Sequence, residues 1–381
     1  MTPKSMALPR RLHLIAALLL LCRGGVAVAA PSAAQKLDRQ LPRLMTSHHI
    51  AGVSALVVRG GGVVWEWHYG LADVALQSPV TPNTMFMLAS TSKTITAVAL
   101  MQLVEQGAIG LDDPIDAAMP YLVRNPDFPS VAITPRMLLT HTSSIVDGAY
   151  AYDSYVIGDS TIALQDFLQG YLTPGGQTWS PDNFLPAAPG TAYEYSNEAV
   201  ALIGVLVERL SGQSFESYCR DHLFTPLGMV DTAWRLGELD AGRVAVPYRY
   251  DRSVGNYVSF GQYGYPDIPN GALRTTAEQL AKFLLMFVGD GTYGGTQLLA
   301  AATVEQMRTP QVPDLDPTQG LIWYSRRVGR REMLGHNGGD DGVSTDMFYE
   351  PATGIGVIVL TNDGGGADSI LRRILKVADG L

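Results

Sequence analysis

The placement of β-rich segments at the two ends of the chain is the feature that most constrains its fold. Near the N-terminus, Ala51 to Val58 and Val63 to Tyr69 flank a glycine-rich turn, and glycine supplies the positive φ angles that tight hairpin turns require. Beyond Pro317 the alternation of apolar and polar residues returns at Leu321 to Arg327, Arg331 to Leu334, Thr345 to Tyr349 and Ile355 to Thr361. We predict an α+β fold in which one antiparallel sheet is built from both ends of the chain.

The residues between these segments mostly follow helical spacing. We therefore expect a single domain over residues 30–381, with a mostly helical region at about 81–316 inserted between sheet regions at about 30–80 and 317–381. Helices are predicted at about Ala33 to Met45, Ser90 to Gln106, Thr161 to Tyr171, Glu198 to Leu210, from Thr275 or Thr276 to Val288, and Ser369 to Val377. The irregular residues 145–192 are typical of the wall of a binding site.

The first 29 residues have the pattern of a secretory signal peptide. Lys4, Arg10 and Arg11 precede the apolar run Leu12 to Leu21, and the small residues Ala27 to Ala29 form a cleavage site. The apolar run is too short to span a bilayer comfortably, and no later run approaches about 18 apolar residues. We predict that the mature chain is exported, periplasmic or extracellular, and has no transmembrane anchor.

The charge of the chain argues against one class of partner. The formal net charge is −9, and removing the four basic residues of segment 1–29 leaves −13. Such a protein lacks the basic surface that nucleic acids bind, so we expect a small-molecule or peptide substrate. Because 46% of the residues are hydrophobic and only 17% are charged, the chain has enough apolar side chains for a substantial core.

Two potentially reactive side chains are expected to be structural. Cys219 is the one cysteine that remains after cleavage of the signal peptide, and it lies in the helical pattern Phe215 to Leu223, as a buried small hydrophobe would. His141 ends a short apolar helix, where a hydrogen-bonded structural histidine is more common than a catalytic base. Cys22 allows lipid anchoring as an alternative. This alternative is minor, because leucines rather than the usual small residues precede the cysteine.

Ser90 and Lys93 form the strongest candidate for chemistry. They are three residues apart at the start of a long helix, so their side chains share a face and can meet. The helix is apolar on most sides, which predicts that it is buried. A lysine removed from water loses affinity for its proton and can activate a serine nucleophile. The alternative is an ordinary helix start, with Ser90 as the N-cap and Lys93 in solvent.

Two further motifs bring polar groups to the ends of predicted elements. Tyr195 and Asn197 are two residues apart at a helix start, and His336-Asn337-Gly338-Gly339 follows a late strand as a candidate turn. The sequence contains no nucleophile elbow Gly-x-Ser-x-Gly, no P-loop and no His-Glu-x-x-His. We expect no metal and no cofactor, because His48 and His49 lack partners at ligand spacing.

With these motifs in this order, the chain resembles the serine β-lactamase and penicillin-binding-protein superfamily. It is most similar to the class C branch, which also holds D,D-peptidases, D-aminopeptidases and esterases. Ser90-Thr91-Ser92-Lys93 matches the S-x-x-K element, Tyr195-Ser196-Asn197 matches Y-x-N, and His336-Asn337-Gly338 stands at the K-T-G element. Leu138 to Ser144 and Pro226 to Met229 resemble further recurrent segments, so the resemblance covers nearly all of the mature chain.

The resemblance implies a catalytic domain that works through an acyl-enzyme. In that mechanism Ser90 attacks a carbonyl, while Lys93 and Tyr195 share the proton transfers. Asn197 holds the substrate amide. The backbone N–H groups of Ser90 and Gly339 form the oxyanion hole.

One departure from the family pattern bears on the substrate. Because His336-Asn337-Gly338 replaces Lys-Thr-Gly, the fixed positive charge and the hydroxyl that meet a substrate carboxylate are missing, and histidine is mostly neutral near neutral pH. We therefore predict a peptidase, amidase or esterase rather than an efficient β-lactamase. Asp340 and Asp341 favour a substrate with an amine, although carboxylates near a turn are usually only solvated. The alternatives are a class C-like β-lactamase and a non-catalytic protein that binds peptidoglycan or peptides.

Overall fold

A seven-stranded antiparallel sheet joins the two ends of the chain in the structure, a computed structural model that describes Met1 and residues 31–148 and 153–381. Its strands are β1 (Gly52–Arg59), β2 (Gly62–Asp73), β3 (Ser78–Pro79), β4 (Tyr324–Val328), β5 (Arg331–Asp340), β6 (Val343–Glu350) and β7 (Ile355–Thr361). They lie in the order β4-β5-β6-β7-β1-β2-β3. The pairing of β1 with β7 joins the N-terminal hairpin to the C-terminal strands, which confirms the predicted α+β architecture.

Helices cover both faces of this sheet. The α-helices of the described residues are α1 (Ala33–His48), α2 (Lys93–Glu105), α3 (Pro135–Leu139), α4 (Leu164–Leu172), α5 (Asn197–Ser211), α6 (Phe215–Cys219), α7 (Thr225–Leu227), α8 (Ala277–Val288), α9 (Ala301–Arg308) and α10 (Ala367–Leu375). Helices α1 and α10 pack on one face, and α8 packs on the other, beside the helical region that contains α2 and α5. The helical insertion between the two sheet regions is as predicted.

Apolar residues on both faces of β1 explain this layering. Val53, Ala55 and Val57 face the core under α1 and α10, while Leu56 and Val58 face the core under the helical region. Burying one such valine or leucine side chain stabilises the fold by roughly 1.5–3 kcal/mol. The central strand is therefore held from both sides, as its nearly continuous apolar run requires.

Short two-stranded ladders connect segments of the helical region by backbone pairing. Phe86–Met87 pairs with Arg274–Thr275, Val156–Ile157 with Tyr263–Gly264, Tyr248–Asp251 with Asn256–Ser259, and Thr292–Tyr293 with Thr296–Gln297. The first ladder holds the segment before α2 against the segment before α8. The sequence leaves Thr275 or Thr276 as the start of α8. Because Thr275 belongs to the ladder, Thr276 is the N-cap, and its hydroxyl accepts a hydrogen bond from the Gln279 N–H at 3.2 Å.

One element is longer than its sequence pattern indicates. The alternation predicts a strand that ends at Leu334, but β5 continues to Asp340, with Gly338 opposite Thr345 on β6. The candidate turn His336-Asn337-Gly338-Gly339 is therefore strand, and the chain reverses at Asp341 and Gly342, whose φ is +67°. Glycine and asparagine are poor strand formers, so pairing with β6 rather than local propensity sets this conformation.

Residues 2–30, and with them Cys22 and nearly all of the predicted signal peptide, lie outside the described residues. The signal peptide therefore stays a prediction. In the parts of the chain that the structure describes, no helix is both long enough and apolar enough to cross a bilayer.

Candidate active site

Ser90 lies on a tight 3₁₀ turn, Ala89–Ser92, that leads directly into α2. The preceding Ala89 has a φ of +47°, a left-handed conformation that costs a non-glycine residue roughly 1 kcal/mol or more. Ser90 is half-buried, whereas Lys93 exposes none of its surface. The alternative of a capping serine beside a solvated lysine does not describe this helix start, because the Ser90 side chain caps no N–H group and Lys93 is buried.

The amine of Lys93 makes three hydrogen bonds. Nζ lies 3.0 Å from Ser90 Oγ, 2.6 Å from Asn197 Oδ1 and 2.8 Å from the backbone oxygen of Asn270. Burial lowers the pKa of Lys93 to about 7, although nearby carboxylates, Asp147 foremost, oppose the shift. Near neutral pH a large fraction of Lys93 is therefore a neutral amine, which can accept the Ser90 proton.

Tyr195 lies next to this pair because it immediately precedes Ser196, the N-cap of α5. Lys93 Nζ lies 5.1 Å from the centre of the Tyr195 ring. Burial raises the pKa of Tyr195, and a hydrogen bond with Ser90 only partly offsets this effect. The phenol is therefore protonated near neutral pH and can donate a proton, while Lys93 is the better base.

His141 packs against the ring of Tyr195 and binds the backbone of the next residue. Its ring is 4.4 Å from the Tyr195 ring, and Nδ1 accepts a hydrogen bond from the Ser196 N–H at 3.2 Å. Burial lowers the pKa of His141 well below the usual histidine range, so the ring is neutral. These contacts agree with the expected structural role. Cys219 is fully buried, also as expected.

The edge of β5 forms the other side of the site. Pairing between β4 and β5 ends at Tyr324 and Gly335, so the following residues of β5 pair with β6 alone and their outer edge is open. A Cβ atom at Gly338 would lie 2.3 Å from the backbone oxygen of Leu88 and 3.0 Å from the Ser90 nitrogen, so only glycine allows this approach. The strand edge thereby lies against the backbone of Leu88 and Ser90.

Two clefts meet at Ser90 and Gly339. The larger, about 440 Å³, is lined by Tyr193, Tyr195, Tyr324, His336 and Asn337 among others. The smaller, about 250 Å³, contains Tyr155, Asn197, Asn270 and Asp340. A substrate carbonyl at Ser90 would have its acyl portion and its leaving group in opposite clefts. A Cβ atom at Gly339 would meet no other atom within 4 Å, and this residue is exposed between the two clefts.

The larger cleft offers hydrogen bonds but no positive charge. Burial and the nearby Lys93 lower the pKa of His336 to about 3, so this histidine is neutral. His336 Nδ1 donates to the Asn337 backbone oxygen at 2.5 Å, and the Tyr324 hydroxyl donates to Asn337 Oδ1 at 2.6 Å. Of the described residues that line this cleft, none is lysine or arginine, and Asp316 is acidic. The cleft therefore suits an uncharged polar group better than a carboxylate.

The two neighbouring aspartates in the smaller cleft differ in environment. Asp341 is exposed, as expected for a carboxylate at a turn, but Asp340 is largely buried beneath two tyrosines. The hydroxyls of Tyr155 and Tyr265 donate to Asp340 at 3.0 and 3.4 Å, and burial raises the pKa of this carboxyl. Tyr155 belongs to residues 145–192, so this segment does contribute to the wall of a cleft.

Three acidic residues near Lys93 were not singled out from the sequence. They are Asp147, Glu198 and Asp267, and all three act electrostatically on the lysine. Burial raises the pKa of Glu198 well above its usual range and that of Asp267 to about 7. Asp147 and Asp267 lie in irregular segments with no local pattern, and Glu198 resembles any acidic residue in a first helical turn. Only the tertiary fold brings them together.

Comparisons with known proteins agree with this geometry. A family model described as "Beta-lactamase" matches residues 37–380. The chain is 29% identical to penicillin-binding protein 4 of Amycolatopsis lactamdurans over 355 residues, 87% of this chain and 86% of that protein. It is 24% identical to protein flp of Staphylococcus aureus strain MW2 over 328 residues, which are 86% of this chain but only 63% of flp. The solved structure of a penicillin-binding protein from Bacillus halodurans superposes with a TM-score of 0.72 at 25% identity, covering 88% of this chain and 98% of that one.

Proposed function

The chain belongs to the β-lactamase family, and on this premise we propose that it is a serine hydrolase that cleaves an amide or an ester through an acyl-enzyme on Ser90. The observation that carries the proposal is the 3.0 Å contact between Ser90 Oγ and the fully buried amine of Lys93. A serine hydroxyl needs a base within hydrogen-bond reach, and a buried lysine supplies one at neutral pH.

In the proposed mechanism, neutral Lys93 takes the proton of Ser90 as Oγ bonds to the carbonyl carbon. The negative charge on the carbonyl oxygen is stabilised by the backbone N–H groups of Ser90 and Gly339. Tyr195 donates its proton to the leaving group as that bond breaks, and the Lys93 ammonium replaces the proton on Tyr195. Because Asn197 Oδ1 is occupied by Lys93, its amide N–H groups are the ones that bind the substrate. Water then hydrolyses the acyl-enzyme.

The larger cleft supports a substrate whose group in that cleft is uncharged. A carboxylate placed there would meet neutral His336 and the acidic Asp316, with no lysine or arginine among the described residues that line the cleft. We therefore favour a peptidase, amidase or esterase over an efficient β-lactamase. Similarity to penicillin-binding relatives supports slow acylation of Ser90 by β-lactams, without requiring rapid turnover.

Export is part of the same proposal. The signal-peptide pattern of residues 1–29 supports a mature catalytic domain over residues 30–381 in the periplasm or outside the cell. The mass of the protein recovered from the exported fraction would identify the cleavage site, and full-length protein retained in the cytoplasm would contradict this part of the proposal.

The substrate class can be tested with intact-mass spectrometry and turnover assays on one panel. The panel contains p-nitrophenyl esters, D-aminoacyl amides, D-Ala-D-Ala peptides and β-lactams. We expect an acyl adduct on Ser90 and faster turnover of the esters and amides than of nitrocefin. Nitrocefin hydrolysis at the speed of a dedicated β-lactamase would overturn the substrate preference, and the absence of any adduct on Ser90 would favour a non-catalytic binding protein.

The pH dependence of acylation provides a separate prediction. Because Lys93 must be neutral to accept a proton and its pKa is lowered to about 7, the acylation rate should rise with pH through about 7 and then level off. The measurement is the rate of adduct formation on Ser90 between about pH 5 and 9. A rate that is independent of pH over this range would argue against Lys93 as the base.

A further inference from the structure

The first turn of α5 is held by the carboxylate of Asp147, which lies about fifty residues earlier in the chain. The Asn197 N–H donates to Asp147 Oδ1 at 2.7 Å and to Oδ2 at 3.0 Å, and the Glu198 N–H donates to Oδ1 at 3.2 Å. The Ser196 hydroxyl donates to the same oxygen at 3.0 Å while it accepts from the Ala199 N–H. The N–H groups at the start of a helix lack acceptors within the helix. This end of the helix is also the positive end of its dipole, which favours an anion.

The position of Asp147 is itself fixed by buried groups. The hydroxyl of Tyr171, a fully buried residue of α4, accepts from the Gly148 N–H at 2.6 Å and donates to the Val146 oxygen at 2.8 Å. The Val146 N–H donates to the backbone oxygen of Asn183 at 3.0 Å. Residues on both sides of Asp147 are thus anchored, so its carboxylate is held in place before a substrate binds.

These contacts connect Asp147 to the reacting groups by a short path. Tyr195 immediately precedes the N-cap Ser196, and Asn197, whose N–H binds Asp147, accepts a hydrogen bond from Lys93 through its side chain. The Ser90 hydroxyl and several titratable groups face Lys93 or interact with it electrostatically; the titratable groups are Tyr195, His141, His336, Asp147, Glu198, Asp267 and Asp340. Of the carboxylates, Asp147 favours the charged form of Lys93 most strongly.

We propose that Asp147 is a positioning residue of this site, which fixes Tyr195 and Asn197 through the first turn of α5 and presents a negative charge to Lys93. This inference rests on the proposed acyl-enzyme mechanism. It assigns a role in the reaction to the irregular segment after α3, beyond that of lining a cleft.

Asp147→Asn separates the charge from the hydrogen bonds. The asparagine oxygen can still accept from Ser196, Asn197 and Glu198, as Oδ1 of Asp147 does, but the charge and the second contact of the Asn197 N–H, with Oδ2, are lost. Without that charge the Lys93 ammonium is less stable, so the rise of the acylation rate should move to lower pH, by about half a unit or more. Asp147→Ala also removes the acceptors and should lower the maximal acylation rate by about 10- to 100-fold, since misplacement of reacting groups costs this much.

Two control variants distinguish this role from simple support of the fold. Ser196→Ala removes one contact with Asp147 but no charge, so it should slow acylation without moving the pH profile. Asp182→Asn removes an exposed carboxylate from the same irregular segment and should change neither. If Asp147→Asn leaves the profile where it is in the wild type, or Ser196→Ala moves it equally, the inference is wrong.

A direct titration of Lys93 keeps this test independent of turnover. Carbon-13 NMR of lysine-labelled protein follows the Lys93 side chain in the wild type and in Asp147→Asn, and we expect its midpoint to fall in the variant. Absence of labelling at Ser90 in the wild type would refute the proposed function. An unchanged Lys93 midpoint would refute the role of Asp147 alone.

Discussion

Replacing Ser90 with alanine is expected to abolish covalent labelling and to lower kcat/KM by at least ~10³-fold, because no other atom can form the acyl bond at that place. Intact-mass spectrometry and turnover of a p-nitrophenyl ester measure the two effects. Ser90 is only half-buried and its side chain caps no helix N–H, so the thermal stability of the variant should stay near that of the wild type.

Ser92→Ala is the matched control for this experiment. Ser92 lies on the same turn, but its hydroxyl is buried and has no hydrogen-bond partner among the described residues, so its removal should leave labelling intact. Equal labelling of Ser90→Ala and the wild type would show that another residue is the nucleophile and would contradict the proposed mechanism.

Lys93→Met should have an effect of similar size. Methionine fills much of the same buried space without an amine, so general-base catalysis is lost and acylation should slow by about 10²- to 10⁴-fold. The residual reaction should also lose the dependence on pH near 7, because the group that titrates there is gone. Adduct formation at pH 6 and pH 8 measures both effects.

Lys93→Met should change the thermal stability of the protein less than it changes the acylation rate. The variant leaves Asn197 Oδ1 and the Asn270 oxygen without a donor, which costs about 1–3 kcal/mol each, but it also removes an expensive buried amine. Lys376→Met, at an exposed lysine of the C-terminal region, is the control and should leave acylation unchanged. A Lys93→Met enzyme that acylates at the wild-type rate would require another base.

Local sequence patterns predicted the parts of the site that depend on one element. The spacing of Ser90 and Lys93 and the apolar circumference of α2 together indicate a buried lysine beside a serine, and the structure contains that arrangement. The hairpin of β1 and β2 was equally predictable, because Gly60 and Gly61 adopt the positive φ angles that its turn requires.

Contacts between distant segments were not predictable in this way. His336 to Gly339 form strand rather than turn because β6 pairs with them, a partner that propensity alone does not reveal. Asp340 is buried rather than solvated because Tyr155 and Tyr265, far earlier in the chain, cover it. Asp147 contacts the start of α5 because Tyr171 and Asn183 hold the residues on either side of it in place.

The division of the sheet between the two ends of the chain has a consequence for biogenesis. Ser90 lies near the start of the chain and Gly339 near its end, yet the approach of β5 to the Ser90 backbone places them in one site. A nascent chain in which β5 has not yet been synthesised contains Ser90 and Lys93 but lacks Gly339, one half of the proposed oxyanion hole. Reactivity of Ser90 should therefore appear only when these non-local strands have paired, a slow class of folding event. An acylating probe would then report completed folding, and truncated chains would escape it.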